Sequence, residues 1–278
     1  MSYTTFSTRQ DGPILTITLN NGETNIMSAV MAGELFALVG QLAVDTETRA
    51  LVIESAVPDF FVAHFAVKDI LKLLEGDPSV PVSKVPGLNV LQALGLSLQS
   101  LPQVTIAKVD GICRGGGFEL MLALDMCFAT DNAKFCFPEA ASGFLPSGGG
   151  ATLLPLKAGH GRALEVMTTG RDFSGQEAAC YGFINQAFEN AAALDAYVSS
   201  VTAQIGKKDL AVIQAIKSVS RETMSDMQPA VLRGLAQENT AMAQCLANPL
   251  VIEKLRGLAE AEGVRDTELD LPAVLAAL

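Results

Sequence analysis

Two acidic residues stand beside two clusters of glycine in apolar stretches of this 278-residue sequence. Glu119 lies in the apolar run that directly follows the glycines of "CRGGGFELMLALD", and Glu139 precedes the second cluster in "FCFPEAASGFLPSGGG". A carboxyl group surrounded by apolar side chains is poorly solvated as an anion, so its pKa rises and it exchanges protons closer to neutral pH. Each acid alone has another interpretation: Glu119 as a structural acid paired with a buried arginine or backbone donor, and Glu139 as a solvated turn residue.

The first glycine cluster supplies a second kind of chemistry. Glycines before a helix allow close approach of a ligand, and the free N–H groups at the helix start can donate hydrogen bonds to a phosphate or an oxyanion. The sequence contains neither GxxxxGK[ST] nor a GxGxxG after a strand, which argues against nucleotide-binding loops. Two acids beside such donors suit thioester chemistry, because an enolate oxygen needs donors while protons move at the neighbouring carbons.

Composition narrows the class of protein. The chain is 49% hydrophobic and 18% charged, which is typical of a globular protein. A net charge of -11 without a basic cluster argues against nucleic-acid binding. No apolar run is long enough to span a membrane, and the N-terminus "MSYTTFSTRQDGP" has no signal-peptide pattern. We therefore expect a soluble, cytoplasmic protein that binds neither nucleic acid nor membranes.

Cysteine and histidine limit the metal and redox chemistry. The five cysteines form no CxxC pattern, so we expect buried, reduced thiols with neither a zinc site nor disulfides. The two histidines, His64 and His160, exclude a histidine-rich metal centre, and no GxSxG motif supports a serine hydrolase triad. No metal site is predicted.

The periodicity predicts an α/β protein whose strands and helices alternate. Strands are expected at "ILTITLN", "RALVIESA" and "QVTIAKVDG", and an irregular segment at residues 71–87. A helix capped by Ser28 is expected to bury Val30, Leu35, Leu38 and Leu42 on one face. A second helix is expected over "FELMLALDMCFA", and mostly helices beyond Gly161. We place an α/β part at residues 1–200 and a helical part at residues 201–278.

Taken together, these motifs resemble the enoyl-CoA hydratase/isomerase (crotonase) family over residues 10 to 190. The resemblance is carried by GGGFEL and FxxPExxxGFLPxGGG, in order and at the family's spacing. It implies an α/β fold built as a crotonase-like spiral of ββα turns, with a helical C-terminal trimerisation region. It further implies an acyl-CoA thioester as the substrate, no cofactor beyond the coenzyme A of that substrate, and assembly as a homotrimer or a dimer of trimers.

The resemblance also implies roles for individual residues. The family's two backbone oxyanion donors fall on Phe65, in "FVAHFAV", and on Gly116. Glu119 takes the position of the group that holds and deprotonates the attacking water, and Glu139 the position of the group that protonates Cα. The segment departs from the family pattern F-x-A-G-A-D-I at His64, Phe65 and Ala66. The remaining expected substrate-binding positions are Ala63, His64, Ala66, Val67 and Gly115.

Several functional interpretations remain open. We interpret His64 as a partly exposed ring beside the pantetheine arm, the alternative being a third proton-carrying or substrate-orienting group. The paired acids favour hydration of a 2-enoyl-CoA, whereas a double-bond isomerase needs only one placed acid. Thioester hydrolysis or decarboxylation would use the same scaffold. A non-catalytic acyl-CoA-binding protein is favoured by the altered "AHFA" segment but not by retention of both acids.

Overall fold

The computed structural model describes residues 3–223 and 225–276 and contains two β-sheets side by side. The larger sheet has the order β1-β2-β3-β5-β7-β10, and all its pairs are parallel except β1 with β2. The smaller sheet has the order β4-β6-β8-β9, with only β9 antiparallel. The strands are β1 (Phe6–Asp11), β2 (Ile14–Leu19), β3 (Ala50–Ser55), β4 (Phe60–Val62), β5 (Val104–Val109), β6 (Ile112–Arg114), β7 (Met126–Thr130), β8 (Lys134–Cys136), β9 (Phe173–Ser174) and β10 (Gln186–Phe188).

Successive strands alternate between the two sheets. β3, β5 and β7 lie in the larger sheet, and β4, β6 and β8 follow each of them into the smaller one. After β4 and after β6, helices return the chain to the larger sheet, because parallel neighbours require a crossover connection, whereas the helices after β8 lead to β9 in the smaller sheet. This arrangement is the predicted spiral of ββα turns, and the predicted α/β class is confirmed.

Helices cover both faces of the sheets and make up most of the C-terminal region. They are α1 (Ala29–Leu42), α2 (Val67–Leu74), α3 (Val90–Ser100), α4 (Gly116–Leu122), α5 (Gly150–Ala158), α6 (His160–Thr169), α7 (Gly175–Tyr181), α8 (Ala191–Gly206), α9 (Leu210–Thr223), α10 (Gln228–Leu246), α11 (Pro249–Ala261), α12 (Arg265–Leu269) and α13 (Leu271–Ala276). None of the helices in the described ranges is both long and apolar enough to cross a bilayer. The division at residue 200 stays a prediction.

The helix predicted over residues 118–129 is correct only in its first part. The apolar run after the glycines is helical only to Leu122, and Met126–Thr130 forms strand β7 instead. Asp125 lies at the boundary, where its carboxylate accepts hydrogen bonds from the N–H and hydroxyl of Thr105 at 2.8 and 3.0 Å. An uninterrupted apolar run has no periodicity that distinguishes helix from strand, so tertiary contacts such as this one mark the change.

Two smaller predictions also need correction. Ser28 does cap α1 by accepting from the Met31 N–H, but Val30 is exposed rather than part of the buried face. Cys180 is exposed and Cys245 half-buried, so only Cys113, Cys127 and Cys136 are buried thiols. The main core joins α1, α3 and α4 to strands of both sheets in one apolar cluster, and α8 packs in a second cluster on β3, β5 and β7 of the larger sheet.

Candidate active site

A cavity of about 500 Å³ lies between the segment after β4, the starts of α3 and α4, and the C-terminal helices. This volume is within the range of sites that hold small molecules. Both predicted acids and both predicted backbone donors border the cavity. Much of the remaining wall is apolar and comes from distant parts of the chain, including Ile70, Leu73, Val82, Leu88, Leu91, Phe144, Met242, Leu246, Leu258 and Leu271.

Glu119 is held by the second glycine cluster. It lies in the first turn of α4, only 5% exposed. Its Oε1 accepts hydrogen bonds from the N–H groups of Gly148 at 2.6 Å and Gly150 at 3.1 Å. A methyl group at position 148 would lie 2.4 Å from the Glu119 carboxylate, so the loop approaches this closely only because residue 148 is glycine. The partner of Glu119 is thus a backbone loop and not a buried arginine.

Stacked aromatic rings place the two acids on the same cavity. Phe118, next to Glu119, stacks on Phe137 with ring centroids 4.5 Å apart and planes 14° from parallel. Glu139 comes two residues after Phe137, in a 3₁₀ turn at Pro138–Ser142. Its carboxylate is 8% exposed, and Oε2 has no hydrogen-bond partner among the described groups. Glu139 is therefore a buried acid and not a solvated turn residue.

Burial dominates the proton affinity of both acids. Desolvation raises the pKa of Glu119 to about 8, with a further contribution from the charge of Glu238 and opposition from the Gly148 and Gly150 N–H groups. Desolvation, reinforced by the charge of Glu119, raises the pKa of Glu139 well above its ordinary value. The two groups repel each other as anions, so over a range of pH the pair keeps a proton that can be given to a ligand.

Two backbone N–H groups meet beside these acids. Met27 bridges the chain on either side of Phe65, donating to the carbonyl of His64 and accepting from Ala66, both at 2.9 Å. The Phe65 N–H therefore lies on the side of this segment that faces away from Met27. A Cβ built on Gly116 would lie 3.2 Å from the Phe65 nitrogen, so this side faces the start of α4. Gly116 is the first residue of α4, so its N–H has no acceptor within the helix. Both donors remain available at the cavity wall.

His64 differs from the expected partly exposed ring. It is 8% exposed, with Nδ1 2.8 Å from the carbonyl oxygen of Phe65 and Nε2 3.1 Å from Oε1 of Glu268 on α12. Two acceptors facing the two ring nitrogens favour the doubly protonated imidazolium. Burial opposes this charge, but the Glu268 hydrogen bond and charge prevail and raise the His64 pKa. His64 thus anchors the C-terminal helices to the segment that carries the Phe65 N–H.

The other predicted binding residues divide into two groups. Val67 borders the cavity, whereas Ala63, Ala66 and Gly115 do not. Ala63 packs in an apolar cluster with Phe60 and Ile112. Gly115 has a positive φ of 46°, which glycine adopts without strain, and this backbone turn starts α4 at the cavity. Direct contact with substrate is therefore predicted only for the residues on the wall.

A buried arginine supports the chain just before the glycine triplet. Arg114 forms a bidentate ion pair with Asp172, at 2.8 and 2.7 Å, and Nη1 donates to the carbonyl of Glu268 at 2.5 Å. It therefore joins β6 to α12, which also carries the partner of His64. Removing one member of such a buried pair leaves an uncompensated charge, so this contact fixes the position of the C-terminal wall.

Several polar residues at the site were not predicted from the sequence. Gln92 on α3, and Glu238 and Asn239 on α10, form hydrogen bonds around the second glycine loop, together with the α3 N-cap Asn89. A partial signal was present: Gln92 interrupts the apolar stretch "NVLQALG", and the polar run "QENT" lies between apolar residues in "LAQENTAMAQCL". A side chain of this kind on a helix that packs into the core needs a buried partner.

Comparisons with known proteins show what this chain is similar to. The family model described as enoyl-CoA hydratase/isomerase matches residues 9–248. The carnitinyl-CoA dehydratase of Citrobacter koseri is 31% identical over 212 residues, which cover 76% of this chain and 78% of that protein. The mitochondrial methylglutaconyl-CoA hydratase of Rattus norvegicus is 29% identical over 235 residues, covering 84% of this chain and 71% of that protein.

Solved structures show the same fold. The crystal structure of a proposed enoyl-CoA hydratase from Streptomyces avermitilis has a TM-score of 0.87 and 34% identity, covering 99% of this chain and 98% of that one. An enoyl-CoA hydratase from Bacillus halodurans has a TM-score of 0.80 at 23% identity, covering 92% of this chain and 100% of that one. The second likeness concerns the fold alone.

Proposed function

Because this chain belongs to the enoyl-CoA hydratase/isomerase family, we propose that it adds water across the 2,3 double bond of an enoyl-CoA thioester. The observation that carries the proposal is the meeting of Glu119 and Glu139 with the N–H groups of Phe65 and Gly116 at one cavity. An isomerase needs one proton shuttle, whereas hydration needs a group for the water and a group for Cα. The site offers both.

The proposed reaction adds one molecule of water and moves two protons. The Glu119 carboxylate removes a proton from water, whose oxygen bonds to Cβ, and the double-bond electrons shift to place negative charge on the thioester oxygen. The N–H groups of Phe65 and Gly116 stabilise that oxyanion. Glu139 then gives its proton to Cα, which yields a 3-hydroxyacyl-CoA. No cofactor takes part, since coenzyme A enters and leaves as part of the thioester.

The raised pKa values suit this division of roles. The base must be ionised and the acid protonated in the same molecule, which holds at pH values between the two pKa values. Burial raises the pKa of Glu119 to about 8 and that of Glu139 well above its ordinary value, and mutual repulsion separates the two ionisations. Enoyl-CoA hydration by the free enzyme should therefore increase with pH as Glu119 ionises.

We further propose that the acyl group is uncharged and apolar. Aliphatic side chains dominate the wall, and no lysine or arginine belongs to the lining in the described part of the chain. Leu91 lies close to the reacting groups, since Cβ atoms built on Gly116 and Gly148 would approach its side chain to 3.3 and 2.8 Å. Of the acids at the wall, Glu268 is already paired with His64. A charged acyl end would lose its hydration without gaining a partner.

A panel of acyl-CoA thioesters tests both proposals. Hydration is followed by loss of the conjugated thioester absorbance with crotonyl-CoA, a longer unbranched 2-enoyl-CoA, and length-matched thioesters ending in a carboxylate or a trimethylammonium group. We expect turnover of the neutral substrates and a kcat/KM lower by at least about 100-fold for both charged ones. Equal turnover of a charged and a neutral substrate would contradict the assignment of the acyl group.

The same panel separates the rival functions. Conversion of a 3-enoyl-CoA in preference to hydration of the 2-enoyl form would make the protein an isomerase. Release of free coenzyme A would indicate thioester hydrolysis. A thermal shift with acyl-CoA but no turnover of any thioester would indicate a binding protein, an outcome that the altered residues His64, Phe65 and Ala66 make worth measuring.

We propose a homotrimer or a dimer of trimers, as the family resemblance implies. The described surface supplies support on α9, where Val212, Ile216 and Val219 are 52%, 65% and 68% exposed. Residues at spacings of four and three lie on one helix face, so these side chains form a contiguous apolar strip. Strips of this kind mark interaction surfaces, and an identical copy of the chain is the occupant we propose.

A charge on this strip should prevent assembly. We expect Ile216→Glu to convert the oligomer to a smaller species in size-exclusion chromatography with light scattering, because burying the new carboxylate is costly. Val44→Glu is the matched control, since Val44 is 81% exposed at an isolated position after α1 and should leave the mass unchanged. An unchanged oligomer in Ile216→Glu would show that α9 does not form the interface.

A further inference from the structure

Three consecutive glycines hold two buried carboxylates at once. The N–H groups of Gly148 and Gly150 donate to Oε1 of Glu119, at 2.6 and 3.1 Å. The N–H of Gly149, between them, donates to Oε2 of Glu238 on α10 at 2.9 Å. Successive N–H groups of one loop therefore point alternately to an acid of the reacting site and to an acid of the C-terminal region.

Glu238 is fully hydrogen-bonded and buried. It is 3% exposed, Oε1 accepts from the Thr152 N–H at 2.8 Å, and Oε2 also accepts from Nε2 of Gln92 at 3.0 Å. Burial raises its pKa, and the hydrogen bonds from Thr152, Gln92 and Gly149 oppose that rise. All of these partners donate, which suits an ionised carboxylate. These donors therefore stabilise the ionised form of Glu238 against the desolvation that raises its pKa.

The same network fixes the residue before the glycines. The carbonyl of Ser147 accepts from Nδ2 of Asn89 at 2.6 Å and from Nε2 of Gln92 at 3.0 Å. Asn239 joins α10 to this network, with Oδ1 accepting from Asn89 at 3.0 Å and Nδ2 donating to Gln92 Oε1 at 2.9 Å. The start of α3, the glycine loop and α10 are consequently connected directly behind Glu119.

We propose that Glu238 is a positioning residue for the hydration reaction, which fixes the loop that holds Glu119 and acts on the Glu119 carboxyl group through its charge. It does not border the cavity, so it reaches the substrate only through Glu119. The inference rests on the proposed function, because it takes Glu119 as the base that activates water. It assigns the C-terminal helix α10 a part in the chemistry.

The charge of Glu238 should change the pKa of Glu119 in a definite direction. After burial, the charge of Glu238 is the main cause of the raised pKa of Glu119. The other titratable groups that face this region are Glu139, across the cavity, and the His64–Glu268 pair, and substitution of Glu238 leaves them in place. Removing the charge of Glu238 should therefore lower the pKa of Glu119, so that the base ionises at lower pH.

Two substitutions separate charge from position. Glu238→Gln removes the charge but keeps the shape, and should move the rising limb of the pH profile of kcat/KM to lower pH by on the order of one unit. Glu238→Asp keeps the charge but shortens the side chain by one methylene group. The rising limb of the kcat/KM profile should therefore stay at the same pH, and the maximal kcat/KM should fall by about 10-fold or more. Glu260→Gln on α11, at an exposed glutamate without a hydrogen bond in the described structure, should match the wild type.

Infrared spectroscopy as a function of pH tests the same coupling without measuring turnover. The protonated carboxyl band of Glu119, identified as the band missing from Glu119→Gln, should disappear at lower pH in Glu238→Gln than in the wild type. Suppose that the wild type hydrates enoyl-CoA, but that Glu238→Gln shifts neither the rising limb of the kcat/KM profile nor the titration of the Glu119 band. Glu238 then does not act on Glu119. If the wild type hydrates no thioester but the band does move, the proposed function fails and the coupling between the two carboxylates stands.

Discussion

Replacing Glu119 by glutamine is expected to lower kcat for hydration of a 2-enoyl-CoA by about 10²- to 10⁴-fold, the usual contribution of a placed acid or base. The amide cannot remove a proton from water, whereas its carbonyl oxygen can still accept the N–H groups of Gly148 and Gly150 that hold Glu119. KM should change much less than kcat, because the substrate still fills the same cavity. Glu139→Gln is expected to cause a loss of the same order, since it removes the proton for Cα.

Stability measurements distinguish a chemical effect of Glu119→Gln from misfolding. The folded-state pKa of Glu119 is raised by burial from 4.5 to about 8, so the native state holds a proton that the unfolded chain releases. The free energy of unfolding of the wild type therefore falls as pH rises from about 5 to 8. Glu119→Gln has no carboxyl group at this position and should not show this decrease. Its free energy of unfolding, relative to the wild type, should increase over this interval. Full activity in both glutamine variants would reject the proposed mechanism.

Gly116→Ala is expected to reduce kcat/KM by about 10²- to 10³-fold, comparable with loss of one oxyanion donor. The added Cβ would lie 2.8 Å from Cβ of Phe65 and 3.2 Å from the Phe65 nitrogen. Since Cβ atoms do not approach so closely, α4 or the segment at Phe65 must move, and the two N–H groups then no longer converge on one oxygen. The steady-state hydration assay measures the loss.

A second glycine substitution controls for the methyl group itself. Gly40 lies in α1, and a Cβ built there meets no atom within 4 Å. Gly40→Ala should retain full activity and gain up to about 1 kcal/mol in stability, because alanine favours the helix. If Gly116→Ala hydrates enoyl-CoA at the wild-type rate, its N–H is not the oxyanion donor.

Local sequence patterns were sufficient for the α/β class, the capped helix α1 and the two acids. Each depends on residues close in sequence: the alternation of strand residues, the Ser28 cap, and a carboxylate in an apolar run beside glycine. Such short-range patterns determine which side of an element is buried, since burial follows the period of the element. They also identified the candidate acids, because an unpaired carboxylate is costly in any apolar environment.

Tertiary structure alone decided what surrounds those acids. No local pattern pairs His64 with Glu268, 204 residues away, or places Glu238 behind the loop that holds Glu119. The end of α4 was likewise set by a contact with Thr105, 20 residues from Asp125. Each partner of such a hydrogen bond appears in the sequence only as a polar residue, and nothing in its local pattern identifies the other partner. The packing of the C-terminal helices against the spiral of strands determines which distant residues come into contact.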